Sequence, residues 1–178
     1  MNAMLQLRPV DADDEPFLRE LRAQVDVERL GLQYWGPDSA EFAQKIVDLQ
    51  FKAHAAHYRQ VKNNWDTKDC IILFNGHRAG RFIVTQDGQV VHLADIVVHT
   101  AFRGMGIGAA VIEAMKSECE QSKRLLRLRV DPDNSALQFY LNLGFRVIEQ
   151  NPVRFLMEWV PQSLQGKTMY FGAMPGKS

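Results

Sequence analysis

The chain has 178 residues, enough for one domain with a sizeable core. Lys plus Arg and Asp plus Glu both number 21, so the formal charge is zero and no nucleic-acid or membrane-surface footprint is visible. No apolar run approaches the ~18 residues of a bilayer span, the N-terminus lacks a basic-then-apolar signal pattern, and Cys70 and Cys119 lie far apart in apolar segments as expected of reduced thiols; a cytoplasmic setting is the expectation.

In chain order, Leu5 to Val10 predicts a short strand, and Asp13 or Asp14 ahead of Pro16 predicts the N-cap of a helix. Leu30 to Ser39, with glycine, proline, Tyr34 and Trp35, is a loop. Asp38 with Glu41 resembles a capping box for a long helix over about Ala40 to Val61. Strands are expected at Cys70–Phe74, Arg78–Thr85 and Val90–Val98, separated by the tight-turn dipeptides Asn75-Gly76 and Asp87-Gly88 and therefore antiparallel. Past three glycines, Ile107, Ala110, Val111, Ala114, Met115 and Cys119 recur at helical spacing and predict a core-facing stripe. "LLRLRV" is a strand, "SALQFYLNL" a short helix stopped by Gly144, and "FRVIEQ" and "VRFLMEW" a closing pair of strands.

The chemistry concentrates between Asp95 and Glu118. Gly104, Gly106 and Gly108 leave the backbone bare where a helix begins, with Arg103 beside them, a pattern suited to holding an anion on unpaired N–H groups. Gly104-x-Gly106-x-x-Ala109 formally meets the dinucleotide fingerprint, with Asp131 about twenty residues on. Three features oppose a Rossmann-type NAD-binding protein: five residues separate the strand from the first glycine, the upstream strands are hairpin-linked, and only about seventy residues follow Gly108. No Gly-Lys-Ser/Thr follows, which excludes a Walker loop.

Arg103-Gly104-Met105-Gly106-Ile107-Gly108 matches the Arg/Gln-x-x-Gly-x-Gly/Ala signature of the GNAT superfamily of acyl-CoA-dependent N-acetyltransferases. About thirty residues later Asn134, Ala136, Tyr140, Gly144 and Phe145 fit the N-x-A-x-x-x-Y-x-x-x-G-F pattern of that family. The chain resembles it from roughly Leu5 to Val160. One departure is Thr100, where many relatives carry proline. The resemblance implies an α/β (α+β) GNAT fold: a mixed, mostly antiparallel central sheet of six to seven strands, flanked by about four helices and splayed between the fourth and fifth strands. It also implies one acetyltransferase domain over residues 1–160, leaving 161–178 as an irregular or partly disordered C-terminal arm.

For function, the resemblance implies acetyl-CoA as co-substrate, no metal, and a small-molecule or peptide amine as acceptor, attacked directly in a ternary complex by a monomer or homodimer. The cofactor would lie on Arg103 to Gly108, with Asn134, and along Ile96, Val97 and Val98, whose amides are the candidate oxyanion donors. Tyr140 is the candidate general acid for the departing thiolate. Asp95 leads as general base and His92 follows, although strand alternation puts them on opposite faces, and ordered water acting without a side chain is the third alternative. Tyr34, Trp35, His54, His57, His92 and Arg129 are candidate acceptor-side residues. His54 and His57, three apart on one helix, suggest a metal pair, but no third ligand lies nearby in sequence. A catalytically inactive acyl-CoA-binding module is the alternative from another functional class.

Overall fold

The computed structural model describes residues 4–34, 36, 39–64, 66–132 and 136–165, with the backbone alone for residues 33, 55 and 57–64. Its strands are β1 (Leu5–Pro9), β2 (Asp66–Phe74), β3 (His77–Asp87), β4 (Val90–Val98), β5 (Leu125–Val130), β6 (Arg146–Gln150) and β7 (Phe155–Trp159). The helices are α1 (Glu15–Leu30), α2 (Ala40–Asn64), α3 (Ile107–Ser122) and α4 (Ala136–Asn142). The strands lie in the order β1-β2-β3-β4-β5-β7-β6.

The pairs β1–β2, β2–β3, β5–β7 and β6–β7 are antiparallel, and β4–β5 is parallel. This is the mixed, mostly antiparallel sheet with four helices that the resemblance implies, and it leaves no room for a doubly wound parallel sheet. The parallel ladder is short, running from Val90 opposite Leu125 to Leu93 opposite Leu128, in keeping with strands that splay beyond it.

The chain divides into two compact units. The first comprises residues up to Gln86 together with Ala94–Gly108. Its core is built from Leu21 of α1, Val47 of α2, Ile71 and Ile72 of β2, and Ala79, Phe82, Ile83 and Val84 of β3. β3 is buried on both faces through its middle, so its sequence reads as a near-continuous apolar run rather than an alternation. β2 begins four residues before the predicted start, because the polar segment Asp66–Asp69 still finds ladder partners in Ile83 to Gln86.

Asp14 stands at the N-cap position of α1, but its carboxylate makes no capping bond to that helix. It is fully buried and accepts from Arg8 Nη1 and Nη2 (2.7 and 2.6 Å), Arg78 Nε (2.8 Å) and the Asp11 amide (3.0 Å). Two guanidinium groups draw it inward, since charge-assisted bonds outweigh a cap, and they hold its carboxyl below the usual carboxylate range. Asp11 does the capping instead, accepting from the Asp13 amide at 3.0 Å in a short 3₁₀ turn.

The second unit comprises Asp87–Leu93 and the chain after Gly108. Val91, Leu93, Val111, Ile112, Met115, Cys119, Leu126, Leu128, Val130, Phe145 and Met157 form its core. The expected stripe of α3 is corrected on one flank: Ala110 and Ala114 are exposed, while Ile112 is fully buried. Burial follows Ile107, Val111, Met115 and Cys119 and then widens toward the larger Ile112, which has more apolar area to withdraw from water than either alanine. β7 sits between β5 and β6, so the last strand in sequence is an interior one. Beyond it, Pro161 is fully buried, and the amides of Gln162 and Ser163 donate to the Glu120 carboxylate of α3 at 2.7 and 3.1 Å. Residues 166–178, most of the predicted arm, lie outside the described residues.

Among the described residues no helix is long and apolar enough to cross a membrane, and no three His, Cys, Asp or Glu side chains are grouped to hold a metal ion. Cys119 is buried, Cys70 is half-buried, and neither forms a disulfide.

Candidate functional site

β4 ends at Val98, His99 caps a 3₁₀ turn over Thr100–Phe102, and the chain then passes through Arg103 to Gly106 into α3. Gly104 and Gly106 have φ of 77° and 75°, the left-handed region that costs glycine nothing. A Cβ at either would meet no protein atom within 4 Å. Glycine is therefore required by the backbone and not by packing, and the space beside both residues is open to a ligand. Met105 is exposed and Ile107 is buried, so Ile107 can offer a ligand its amide but not its side chain.

The turn is tied to α1. Arg103 donates from Nη1 to Glu28 Oε1 (2.7 Å) and from Nε to the Val98 carbonyl (3.1 Å). Gln24 Oε1 accepts from the Thr100 amide at 3.1 Å, and its Nε2 lies 2.7 Å from His99 Nε2. His99 Nδ1 accepts from the Ala101 amide (3.1 Å), and its Nε2 is 3.1 Å from Glu20 Oε1. The ring is flanked by Phe17 and Phe102. These α1 residues were not among those predicted for the site. A polar series at i, i+4 and i+8 reads as a solvated helix face, and nothing local in the sequence says that it meets a turn some 75 residues later.

Gly80 of β3 was likewise missed. A Cβ there would overlap the Val97 carbonyl oxygen and stand 3.2 Å from Ile72 Cδ1. An isolated glycine within a strand pattern is the signal of such a close approach. Beside it, the Ala79 carbonyl accepts from the His99 amide at 2.9 Å, so the far end of β4 is held by β3 at two adjacent points.

On the same unit, Asp95 is half-buried and acts electrostatically on His54 of α2. Burial lowers the His54 pKa first, the Arg22 charge adds to that, and Asp26 and Asp95 oppose it, so the ring favours its neutral form. Asp26 is fully buried and accepts from Arg22 Nε (3.0 Å) and Nη2 (2.7 Å), with Arg29 at 3.7 Å. Asp95 and His54 are thus brought into mutual range beside two arginines. Tyr34, in a 3₁₀ turn, is 85% exposed. Trp35 and Asn134 lie outside the described residues, as does the side chain of His57.

In the second unit, His92 is opposite Arg127 in the ladder, and Arg127 is opposite Glu158. Arg127 Nε donates to Glu158 Oε2 at 2.7 Å. Burial lowers the His92 pKa first, and the charges of Arg127 and Arg129 lower it further. His92 therefore belongs to a polar row of the second unit, whereas Asp95 belongs to the first. Arg129 is exposed. Tyr140 of α4 is 9% exposed, with its ring 5.3 Å from Phe139 and 5.8 Å from Phe145. Gly144, at φ 83°, ends α4 as expected and lets Phe145 turn back onto that ring.

Residues 38–165, more than half of the chain, match the family model described as an acetyltransferase (GNAT) domain. The chain is 37% identical over 67 residues to glucosamine 6-phosphate N-acetyltransferase of Trypanosoma brucei brucei, a match covering 37% of this chain and 45% of that protein, less than half its length. Its fold is similar to that of PaiA N-acetyltransferase from Thermoplasma acidophilum in complex with coenzyme A, with a TM-score of 0.66 at 17% identity over 88% of this chain and 99% of the other. An acetyltransferase from Thermus thermophilus gives 0.63 at 15% identity, over 88% and 97% of the two chains. With its sheet, its glycine turn and this match in agreement, the chain belongs to the GNAT family of acetyltransferases.

Proposed function

We propose that the protein transfers the acetyl group of acetyl-CoA to a primary amine by direct attack within a ternary complex. The observation that carries this is the turn from Arg103 to Gly106, whose two left-handed glycines leave open space beside a helix start. A pyrophosphate can approach such backbone amides to the ~3 Å of a hydrogen bond, which a side chain at either position would prevent. Similarity to a glucosamine 6-phosphate N-acetyltransferase supports an amine acceptor.

Acetyl-CoA supplies an activated thioester. The residues must deprotonate the amine, hold the developing oxyanion and accommodate the leaving thiolate. A lysine-like amine with pKa ~10.4 lies about 3.4 units above pH 7, so its neutral form costs about 4.6 kcal/mol. Asp95 takes that proton in this reading, with His54 lining the acceptor side as a neutral ring. The amides of Ile96 to Val98 are the oxyanion donors, and Tyr140 protonates the thiolate.

A thiol-release assay with acetyl-CoA against amino sugars and their phosphates, polyamines, amino acids and peptide N-termini tests the proposal. Release that depends on one acceptor class supports it. Coenzyme A binding without release for any amine would instead assign a binding module.

A further inference from the structure

Where many GNAT relatives carry proline this chain has Thr100, which leaves an amide N–H that proline lacks. That N–H donates to Gln24 Oε1 at 3.1 Å, from a residue 76 positions earlier. The same side chain lies against His99, immediately before the turn. His99 has φ −56° and ψ 140°, the extended region favoured by a residue preceding proline. The residue before the turn is thus compatible with a proline at position 100, and here α1 supplies a restraint instead. Glu20 and Glu28, one helical turn to either side of Gln24, reach His99 and Arg103 in the same way.

We infer that Gln24 is a positioning residue for the anion-binding turn, holding Thr100 from α1 through its backbone amide. Affinity for the pyrophosphate portion of coenzyme A depends on this contact. The inference rests on the coenzyme A reading above.

The test uses titration calorimetry of the full chain with coenzyme A, and with pantetheine, which has no pyrophosphate. Gln24→Leu removes the acceptor while keeping a helix-forming side chain of similar size. It should raise the coenzyme A dissociation constant about tenfold and leave pantetheine binding unchanged. Gln24→Glu retains an acceptor for the Thr100 amide, so it should bind within about twofold of wild type. The double variant Gln24→Leu/Thr100→Pro should regain most of the lost affinity, because the ring restores the restraint without the N–H. Wild-type coenzyme A affinity in Gln24→Leu overturns the inference. So does an equal loss for coenzyme A and pantetheine, or a double variant no better than Gln24→Leu. If wild type itself binds no coenzyme A, the coenzyme A reading fails first and takes this inference with it.

Discussion

Gly80→Ala adds one methyl group at the point where β3 meets the far end of β4. Gly80 does not have the positive φ that strains other residues, so the effect isolates close approach. The new Cβ would overlap the Val97 carbonyl oxygen and lie 3.2 Å from both Val97 C and Ile72 Cδ1. Ile72 is fully buried and has little room to turn aside. Relief to an ordinary contact of about 3.5 Å requires Val97 to retreat by about 1 Å. Overpacking of this kind costs about 1–3 kcal/mol, or roughly 2–4 °C of Tm per kcal/mol in a chain of this size. The displaced segment is the one proposed to donate to the oxyanion, and a shift of about 1 Å in a positioning group lowers rates about 10²-fold. The thermal midpoint and thiol release with a working acceptor check both effects. Turnover within about twofold of wild type in a folded variant would refute the idea that Gly80 sets the position of Val97 and Val98.

Tyr140→Phe keeps the ring among Phe139 and Phe145 and removes only the hydroxyl; turnover in the thiol-release assay should fall by about 10²–10⁴ with acetyl-CoA affinity nearly unchanged. Gly106→Val places a branched side chain at φ 75° facing open space, so calorimetry should show coenzyme A binding lost while circular dichroism reports a folded chain. Asp14→Asn should cost about 3–5 kcal/mol at pH 7, because it removes the buried charge that pairs with Arg8 and Arg78 and turns an NH2 donor toward a guanidinium. The folded state lowers the Asp14 pKa, so its contribution is complete above the unfolded value of about 3.9 and is lost as pH falls below that. Urea midpoints at pH 7 and pH 3 should therefore show the gap between wild type and Asp14→Asn narrowing in acid.

Punctuation made much of the fold legible. Asn75 and Gly76, with φ of 51° and 81°, form the tight turn their dipeptide announces, and the flanking strands follow. The glycine turn was legible for the same reason, since Gly104 and Gly106 both hold the left-handed backbone that glycine adopts freely. The start of β2 was not, because Asp66–Asp69 is polar and its strand character comes from partners 14 to 20 residues later in β3. The role of Asp14 was hidden similarly: a carboxylate ahead of Glu15 and Pro16 reads as a cap until two arginines from other strands are seen to claim it. Local motifs located the glycine turn and the short helix that carries Tyr140. The residues steadying that turn, Gln24, Glu28 and Gly80, depend on which surfaces meet in space, and no spacing rule encodes that.

Glu120 has a practical consequence for anyone shortening this chain. A cut after Val160, where β7 has just ended, would discard fully buried Pro161 and both amides that the Glu120 carboxylate accepts from. It would expose apolar surface and leave an α3 carboxylate without its two donors. Those donors lower the Glu120 pKa, so the junction is also one that acid weakens. An expression boundary after Gln165, where the short 3₁₀ turn has closed, keeps the junction whole.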